Sequence, residues 1–288
     1  MALLRTSGLT VRYGGLAAND DVNIAVEHGK LVGLIGPNGA GKTTFIDAIT
    51  GFTSISFGTV EFDGEEIGTW SPHRRAHRGL ARTFQSLELF EDLTVRDNLL
   101  VAAETPKWYS FVLDLLRPGR VQREQEERVD RALAALDLQD WAERLPSDLS
   151  HGQRKLVGVA RALAAKPRLL LLDEPAAGLD TVESQRLGRH LRQFLDDGTS
   201  IFLIDHDMGL VLNVCDYIYV LDFGRIIAEG TPAQIRKDPA VIRAYLGESA
   251  GEAQAMEGTA LSAIVNPEAA LPSSAVDGTD TEIDAAGT

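Results

Sequence analysis

Val22-Asn23-Ile24-Ala25-Val26 and Thr59-Val60-Glu61-Phe62 alternate apolar with polar or small residues, and Gly14-Gly15 and Asp63-Gly64 stand near them. Successive side chains of a strand point to opposite faces, so the alternation predicts half-buried strands of an antiparallel sheet, with tight turns close by. A different rhythm marks residues 31–35, 169–172 and 201–204, short runs that are apolar throughout and are each followed by a helical segment. Strands covered on both faces read this way, and the strand–helix succession predicts a parallel sheet. The fold class is α/β.

Between these runs, residues 94–165 read as a helical section. Val129, Ala132, Leu133 and Leu136 fall on one stripe, while Glu124 with Arg128 and Glu127 with Arg131 are spaced four apart on the wet side, as in an amphipathic helix. Residues 107–119 are unusually apolar for an exposed insertion, with Trp108, Tyr109, Phe111, Val112, Leu113, Leu115 and Leu116. They suit either a satellite core or a surface that meets a partner. From Ser249 onward the composition shifts to Ala, Gly, Ser, Thr and acids, with few large apolar residues to offset ordering entropy. A folded unit over 1–248 with a disordered acidic tail over 249–288 is the expected organisation.

Charge and length narrow the function classes. The 288 residues hold 42 acids against 28 bases, and the tail carries seven of the acids and no Lys or Arg. Such a balance argues against broad binding of a phosphate backbone, so no nucleic-acid partner is expected. No stretch reaches the roughly 18 to 20 apolar residues of a membrane-spanning helix, and the first residues lack the pattern of a secretory signal. The lone cysteine, Cys215, excludes an internal disulfide. A cytoplasmic location is expected.

The strongest chemical signal is Gly36-Pro37-Asn38-Gly39-Ala40-Gly41-Lys42-Thr43, which matches G-x-x-x-x-G-K-[ST] between a predicted strand and a predicted helix. Its glycines let backbone N–H groups wrap a phosphate, the following helix adds its positive end, Lys42 reaches the outer phosphates, and the Thr43 hydroxyl can ligate Mg²⁺. Thr44, next in line, is grouped with this cradle. A second signal is the run 169–172 ending in Asp173-Glu174, where a parallel sheet opens its ligand crevice. Neighbours on an extended strand face opposite ways, so Asp173 is expected to hold the Mg²⁺ shell and Glu174 to polarise the attacking water.

With these residues in place, the sequence resembles the ATP-binding subunits of ABC transporters. Leu149-Ser150-His151-Gly152-Gln153 stands where that family carries its LSGGQ signature, and Ala177-Gly178-Leu179-Asp180 where it has the D-loop. Gln85 falls at the Q-loop glutamine, His206 at the switch histidine, and Tyr13 resembles the aromatic that stacks on adenine. Singly, each has a plainer reading: a half-buried strand aromatic, a strand end, a loop histidine, or, for Ser150, a helix N-cap. Their ordered occurrence over residues 13–206 is what is specific. The resemblance implies a P-loop ABC-type nucleotide-binding domain with an antiparallel β subdomain and an inserted α-helical subdomain.

It also implies ATP and Mg²⁺ as ligands and hydrolysis by phosphoryl transfer to water. Glu174, His206 and Gln85 would be catalytic, and Thr43, Gln85 and Asp173 would surround the metal. Nucleotide would be held by Tyr13, by Gly36, Pro37, Asn38, Gly39, Ala40, Gly41, Lys42, Thr43 and Thr44, and by Ser150, Gly152 and Gln153. Ser150 and Gly152 would serve the phosphate loop of a second ATP-binding subunit, either an identical chain or a related one, so that two ATPs lie between a head-to-tail pair.

Further segments resemble the branched-chain amino acid importer subfamily: Ala81-Arg82-Thr83-Phe84-Gln85, residues 90–99, Pro175-Ala176-Ala177-Gly178-Leu179, and Gly230-Thr231-Pro232 leading to residues 241–247. His151, standing at the first glycine of LSGGQ, departs from the general pattern. It is tolerated if its side chain faces away from the phosphate, and it is a form this subfamily and the urea importers can show. The implied protein is the energising subunit of an importer on the cytoplasmic face of the membrane. It would work with transmembrane permease subunits and, indirectly, with an extracellular substrate-binding protein. Leu87, Leu89 and Phe90 would meet the permease. Urea or short-amide uptake is the alternative within transport, and a soluble ABC-type assembly ATPase the alternative outside it.

Overall fold

The computed structural model describes residues 2–83, 89–104, 120–196 and 198–252. Gln85, Leu87, the apolar stretch 107–119 and tail residues 253–288 lie outside the described residues.

The chain opens with β1 (Ala2–Tyr13) and β2 (Leu16–Glu27), followed by β3 (Leu31–Ile35) and helix α1 (Lys42–Thr50). After β4 (Phe57–Phe62), β5 (Glu65–Glu66), α2 (Pro72–His77) and β6 (Leu80–Arg82) come three longer helices: α3 (Val95–Ala103), α4 (Arg120–Ala135) and α5 (His151–Ala164). The remainder alternates: β7 (Leu169–Asp173), α6 (Thr181–Asp196), β8 (Ser200–Ile204), α7 (Met208–Val214), the hairpin β9 (Tyr217–Asp222) and β10 (Arg225–Gly230), α8 (Pro232–Ile235) and α9 (Pro239–Glu252). Helix α9 thus continues four residues into the acidic segment that starts at Ser249.

One sheet is antiparallel in the order β2-β1-β4-β5, and the other runs β10-β9-β3-β8-β7-β6, parallel from β9 to β6. The two alternating segments read from the sequence do not pair with each other, because β1 lies between them. Irregular register hides β1 from a period-two reading: its pairing with β2 shifts around Thr6 and Leu9, where Gly8 takes φ +60°, and Leu3 and Leu4 are both buried.

The parallel strands are apolar on both faces because both are covered. Leu31, Ile35, Leu170, Leu172, Ile201 and Leu203 pack into one core with α3, α4, α5, α6 and α7. Val32, Leu34, Leu169, Leu171, Phe202 and Ile204 pack into another with α1 and the antiparallel sheet. Helix α1, leaving β3, therefore lies on one side, and α6 and α7, leaving β7 and β8, lie on the other. The reversal falls between neighbouring strands β3 and β8, and a crevice opens at the carboxyl ends of strands at such a switch point.

Candidate nucleotide site

The candidate residues follow the strand ends in spatial order. The glycine-rich loop leaves β3, Asp205 and His206 follow β8, Asp173 and Glu174 end β7, and Thr83 follows β6. Distant parts of the sequence thus meet along one edge because β3, β8, β7 and β6 are hydrogen-bonded neighbours.

The loop's glycines are required by close packing. Gly36 has φ +155°, and a Cβ there would stand 2.0 Å from the carbonyl oxygen of Leu221 in β9. Gly41 has φ +102°, and a Cβ there would stand 2.4 Å from the carbonyl of Ala18 in β2. Asn19 donates its side-chain amide to the Gly41 carbonyl at 3.2 Å. The Gly224 N–H, in the turn of the β9–β10 hairpin, donates to the Ala40 carbonyl at 2.9 Å. The loop is therefore wedged between the antiparallel sheet and the edge hairpin. Gly41 is also the N-cap of α1, with no capping side chain and no acid in the first turn, so the positive end of that helix is left open for an anion. The Lys42 ammonium folds back onto the loop, donating to the carbonyls of Gly36 at 2.5 Å and Pro37 at 2.8 Å. Thr43 is exposed and Thr44 half-buried.

Asp173 is buried at the end of β7. Burial pushes its pKa above the ordinary carboxylate value, against the pull of the Arg82 guanidinium, which donates to its Oδ2 at 3.0 Å. Glu174 departs from the expectation of an extended neighbour: its φ is +48°, in the left-handed region. That conformation costs a non-glycine residue about 1–2 kcal/mol, and it is held by hydrogen bonds on both sides. Its N–H donates to the Ile204 carbonyl at 2.7 Å, and its own carbonyl accepts from the Ala177 N–H at 3.2 Å and from Lys155 Nζ at 3.3 Å. Glu174 is thus carried by a left-handed turn just past the end of β7 and not by a continued strand. Its Oε1 lies 3.6 Å from His206 Nδ1, which is also 3.6 Å from Asp205 Oδ1. Asp205 is fully buried, which raises its pKa, and it accepts the N–H groups of Ala176 at 3.2 Å and Asp207 at 3.0 Å.

Tyr13 ends β1 opposite Leu16, close to the point where Ala18 and Asn19 touch the loop. It is 54% exposed, with its hydroxyl 3.3 Å from Thr53 Oγ1. This is not the half-buried strand aromatic of the plainer reading.

Ser150 caps α5. Its Oγ accepts the Gln153 N–H at 3.2 Å, and the Gln153 side chain accepts the Ser150 N–H at 2.8 Å, a reciprocal capping box. The serine hydroxyl keeps its proton for an outside acceptor, whereas the Gln153 carbonyl oxygen is engaged in shaping the tip. Gly152 is buried, and a Cβ there would lie 2.9 Å from Leu179 Cδ2 and 3.3 Å from both carboxylate oxygens of Glu183. His151 turns towards Gly178 of its own chain, its Cδ2 3.5 Å from where a Cβ of that glycine would stand. The histidine is accommodated beside a residue without a side chain.

Three residues to which the motifs give no role also matter here: Arg82, Arg75 and Lys155. Each acts through long-range hydrogen bonds to carboxylates or backbone carbonyls, and such bonds leave no periodic mark in a sequence.

A doubly wound parallel sheet, a glycine-wrapped helix start at its switch point and carboxylates on the next strands define a phosphate-loop ATP-binding cassette. Residues 19–177 match the ABC transporter family, and residues 225–251 match the family described as branched-chain amino acid ATP-binding cassette transporter. Over 251 residues the chain is 41% identical to the high-affinity branched-chain amino acid transport ATP-binding protein BraF of Pseudomonas aeruginosa, covering 86% of this chain and 98% of that one. The corresponding protein LivG of Escherichia coli K12 has the same identity and coverage. Among solved structures, an ATP-binding cassette of an ABC transporter in its ADP conformation superposes with a TM-score of 0.75 at 33% identity, covering 86% of this chain and 99% of that chain. The chain belongs to the ABC transporter family of ATP-binding proteins. It is an ATP-hydrolysing subunit of that family, with the fold that its motifs predicted.

Proposed function

We propose that this chain hydrolyses ATP to drive a membrane importer of branched-chain amino acids. The observation that carries the choice of cargo is the match of residues 225–251, β10 to α9, to the branched-chain family. This segment lies outside the residues 19–177 matched to ABC transporters in general. The chain sits on the cytoplasmic face of the membrane with permease subunits. Among the described residues no helix is long and apolar enough to cross a membrane.

ATP lies over the open start of α1 with its base against Tyr13. Lys42, now on the carbonyls of Gly36 and Pro37, turns to the outer phosphates. The oxygen donors Thr43 and Asp173 suit Mg²⁺, which takes few protein ligands beside phosphate. Mg²⁺, when bound, neutralises charge on the transferring phosphate. Glu174, carried by its left-handed turn, orients and polarises the attacking water. His206, 3.6 Å away, hydrogen-bonds the outer phosphate. Gln85 supplies an amide to the same site. The Ser150 hydroxyl and the α5 tip, shaped by Gly152 and Gln153, reach the nucleotide of a second subunit. Hydrogen bonds to charged groups contribute roughly 1.5–3 kcal/mol each, so a few such contacts close the pair when ATP is bound and release it after hydrolysis.

Two measurements test this. Glu174→Gln is expected to retain ATP and accumulate as a nucleotide-bound dimer without turnover; undiminished turnover would remove Glu174 from the mechanism. In vesicles containing the cognate permease, uptake of leucine, isoleucine and valine should require this chain with a functional Lys42. Uptake of urea in their place would overturn the assignment of cargo.

A further inference from the structure

Lys155 lies one turn beyond the Ser150 cap of α5, yet its ammonium leaves its own helix. It donates to the carbonyl of Glu174 at 3.3 Å and to the carbonyl of Ala177. These two carbonyls bracket the turn that carries Glu174 in its left-handed conformation. From the other side, the same turn is held by β8 and its extension: Ile204 accepts the Glu174 N–H at 2.7 Å, and Asp205 accepts the Ala176 N–H at 3.2 Å. The turn is thus clamped between the central sheet and the Ser150 helix, and Lys155 supplies the clamp on the helix side. A half-buried ammonium is an expensive way to hold two neutral carbonyls. Burial lowers its pKa, while the charges of Asp205 and Glu174 favour its ionised form.

The contacts of the α5 tip point the same way. Gly152 packs on Leu179 and Glu183, and His151 lies against Gly178. From residue 151 to residue 155, this end of the helix therefore rests on the segment 174–183 of its own chain. Lys155 is therefore the direct side-chain link from this end of the helix to the backbone of Glu174.

We infer that Lys155 is a positioning residue that ties the Ser150-led helix tip to the Glu174 carboxylate of the same chain. This rests on the function proposed above, in which the tip meets the nucleotide of one site and Glu174 serves the other. Lys155 then makes hydrolysis in one site depend on whether the other is filled. Its hydrogen bonds go to the backbone carbonyls of Glu174 and Ala177, so it acts on the reaction through Glu174.

The test uses the full-length chain with Mg²⁺ and ATP. Lys155→Met, which keeps the length of the stem and removes the donors, is expected to lower kcat roughly ten- to a hundred-fold, the scale set by misplacing a reacting group by about 1 Å. KM and ATP affinity should stay near the wild-type values, because the cradle 36–44 is not in contact with Lys155. The Hill coefficient for ATP should fall towards 1, and Lys155→Arg, which can reach both carbonyls, should restore much of kcat. A Lys155→Met variant with wild-type kcat and cooperativity would overturn the inference, as would a loss expressed in KM alone. Should that variant fail to fold, Lys155→Gln, too short to span both carbonyls, takes its place, and an unchanged kcat there would be equally decisive. A wild-type chain that binds ATP without turnover would count against the proposed function itself. Amide hydrogen exchange at residues 174–178 then decides the clamp, with faster exchange in Lys155→Met expected and equal exchange refuting it.

Discussion

The guanidinium of Arg82 joins Asp173 to Asp47: one nitrogen donates to Asp173 at 3.0 Å and another to Asp47 of α1 at 2.5 Å. A cation of the protein's own thus sits against the carboxylate assigned to Mg²⁺. Removing one member of a buried ion pair leaves the other charged and unsatisfied, at a cost of about 3–5 kcal/mol. Arg82→Met is therefore expected to lower the melting temperature of the nucleotide-free chain, and MgATP should raise it by more in the variant than in wild type. Equal shifts with MgATP in both proteins would show that Arg82 and the metal do not act on the same carboxylate.

At the α5 tip, Gly152 is required by packing within its own chain. A Cβ would press on Leu179 Cδ2 at 2.9 Å, and overpacking of this kind costs about 1–3 kcal/mol. Gly152→Ala should lose stability of that order in urea unfolding, and Leu179→Ala in the same chain should recover part of it. Strict additivity of the two losses would contradict the contact.

Arg75 is buried and spreads its guanidinium over backbone carbonyls: Ala48 and Ile49 at the end of α1, both at 2.8 Å, Gly68 at 2.9 Å and Trp70 at 3.1 Å. It closes the opposite end of the helix whose start is the proposed phosphate site. At about 1 kcal/mol for each acceptor left unsatisfied, Arg75→Met should cost about 3–4 kcal/mol. An ammonium cannot replace the fan of guanidinium donors, so Arg75→Lys should recover less than half of that loss. Denaturant midpoints of the three proteins check the order.

Asp216 links β3 to α6, accepting the Leu31 N–H at 2.9 Å and an Arg192 donor at 2.8 Å. Burial acts to raise its pKa, but these donors outweigh it and hold the carboxyl below its ordinary value. A depressed folded pKa contributes stability above the unfolded value of about 3.9, and this is lost as the pH falls through the folded value. The stability gap between wild type and Asp216→Asn should hold from pH 7 to pH 5 and narrow below about pH 4. A gap independent of pH would remove the carboxylate from the account.

Much of this molecule is legible in its sequence. The parallel strands were readable because burial on both faces leaves runs such as 31–35 and 169–172 without polar interruption. The phosphate loop was readable because a side chain at Gly36 or Gly41 would strike backbone, which fixes residue type at a fixed spacing. β1 escaped the alternation because its pairing shifts register. Strand alternation predicts an extended Glu174 beside Asp173, whereas the residue sits in a left-handed turn, and nothing in the residue type of a glutamate announces φ +48°. The roles of Arg75, Arg82 and Lys155 are silent for a related reason: their partners lie 5 to 91 residues away along the chain.

The phosphate loop is braced by β9 at Gly36, by β2 at Gly41 and by the hairpin turn at Ala40. A bracket fastened to both sheets cannot dilate to fit its guest without prying them apart. On the function proposed above, nucleotide docks on a stationary anvil, and whatever rearranges during a turnover cycle swings around it.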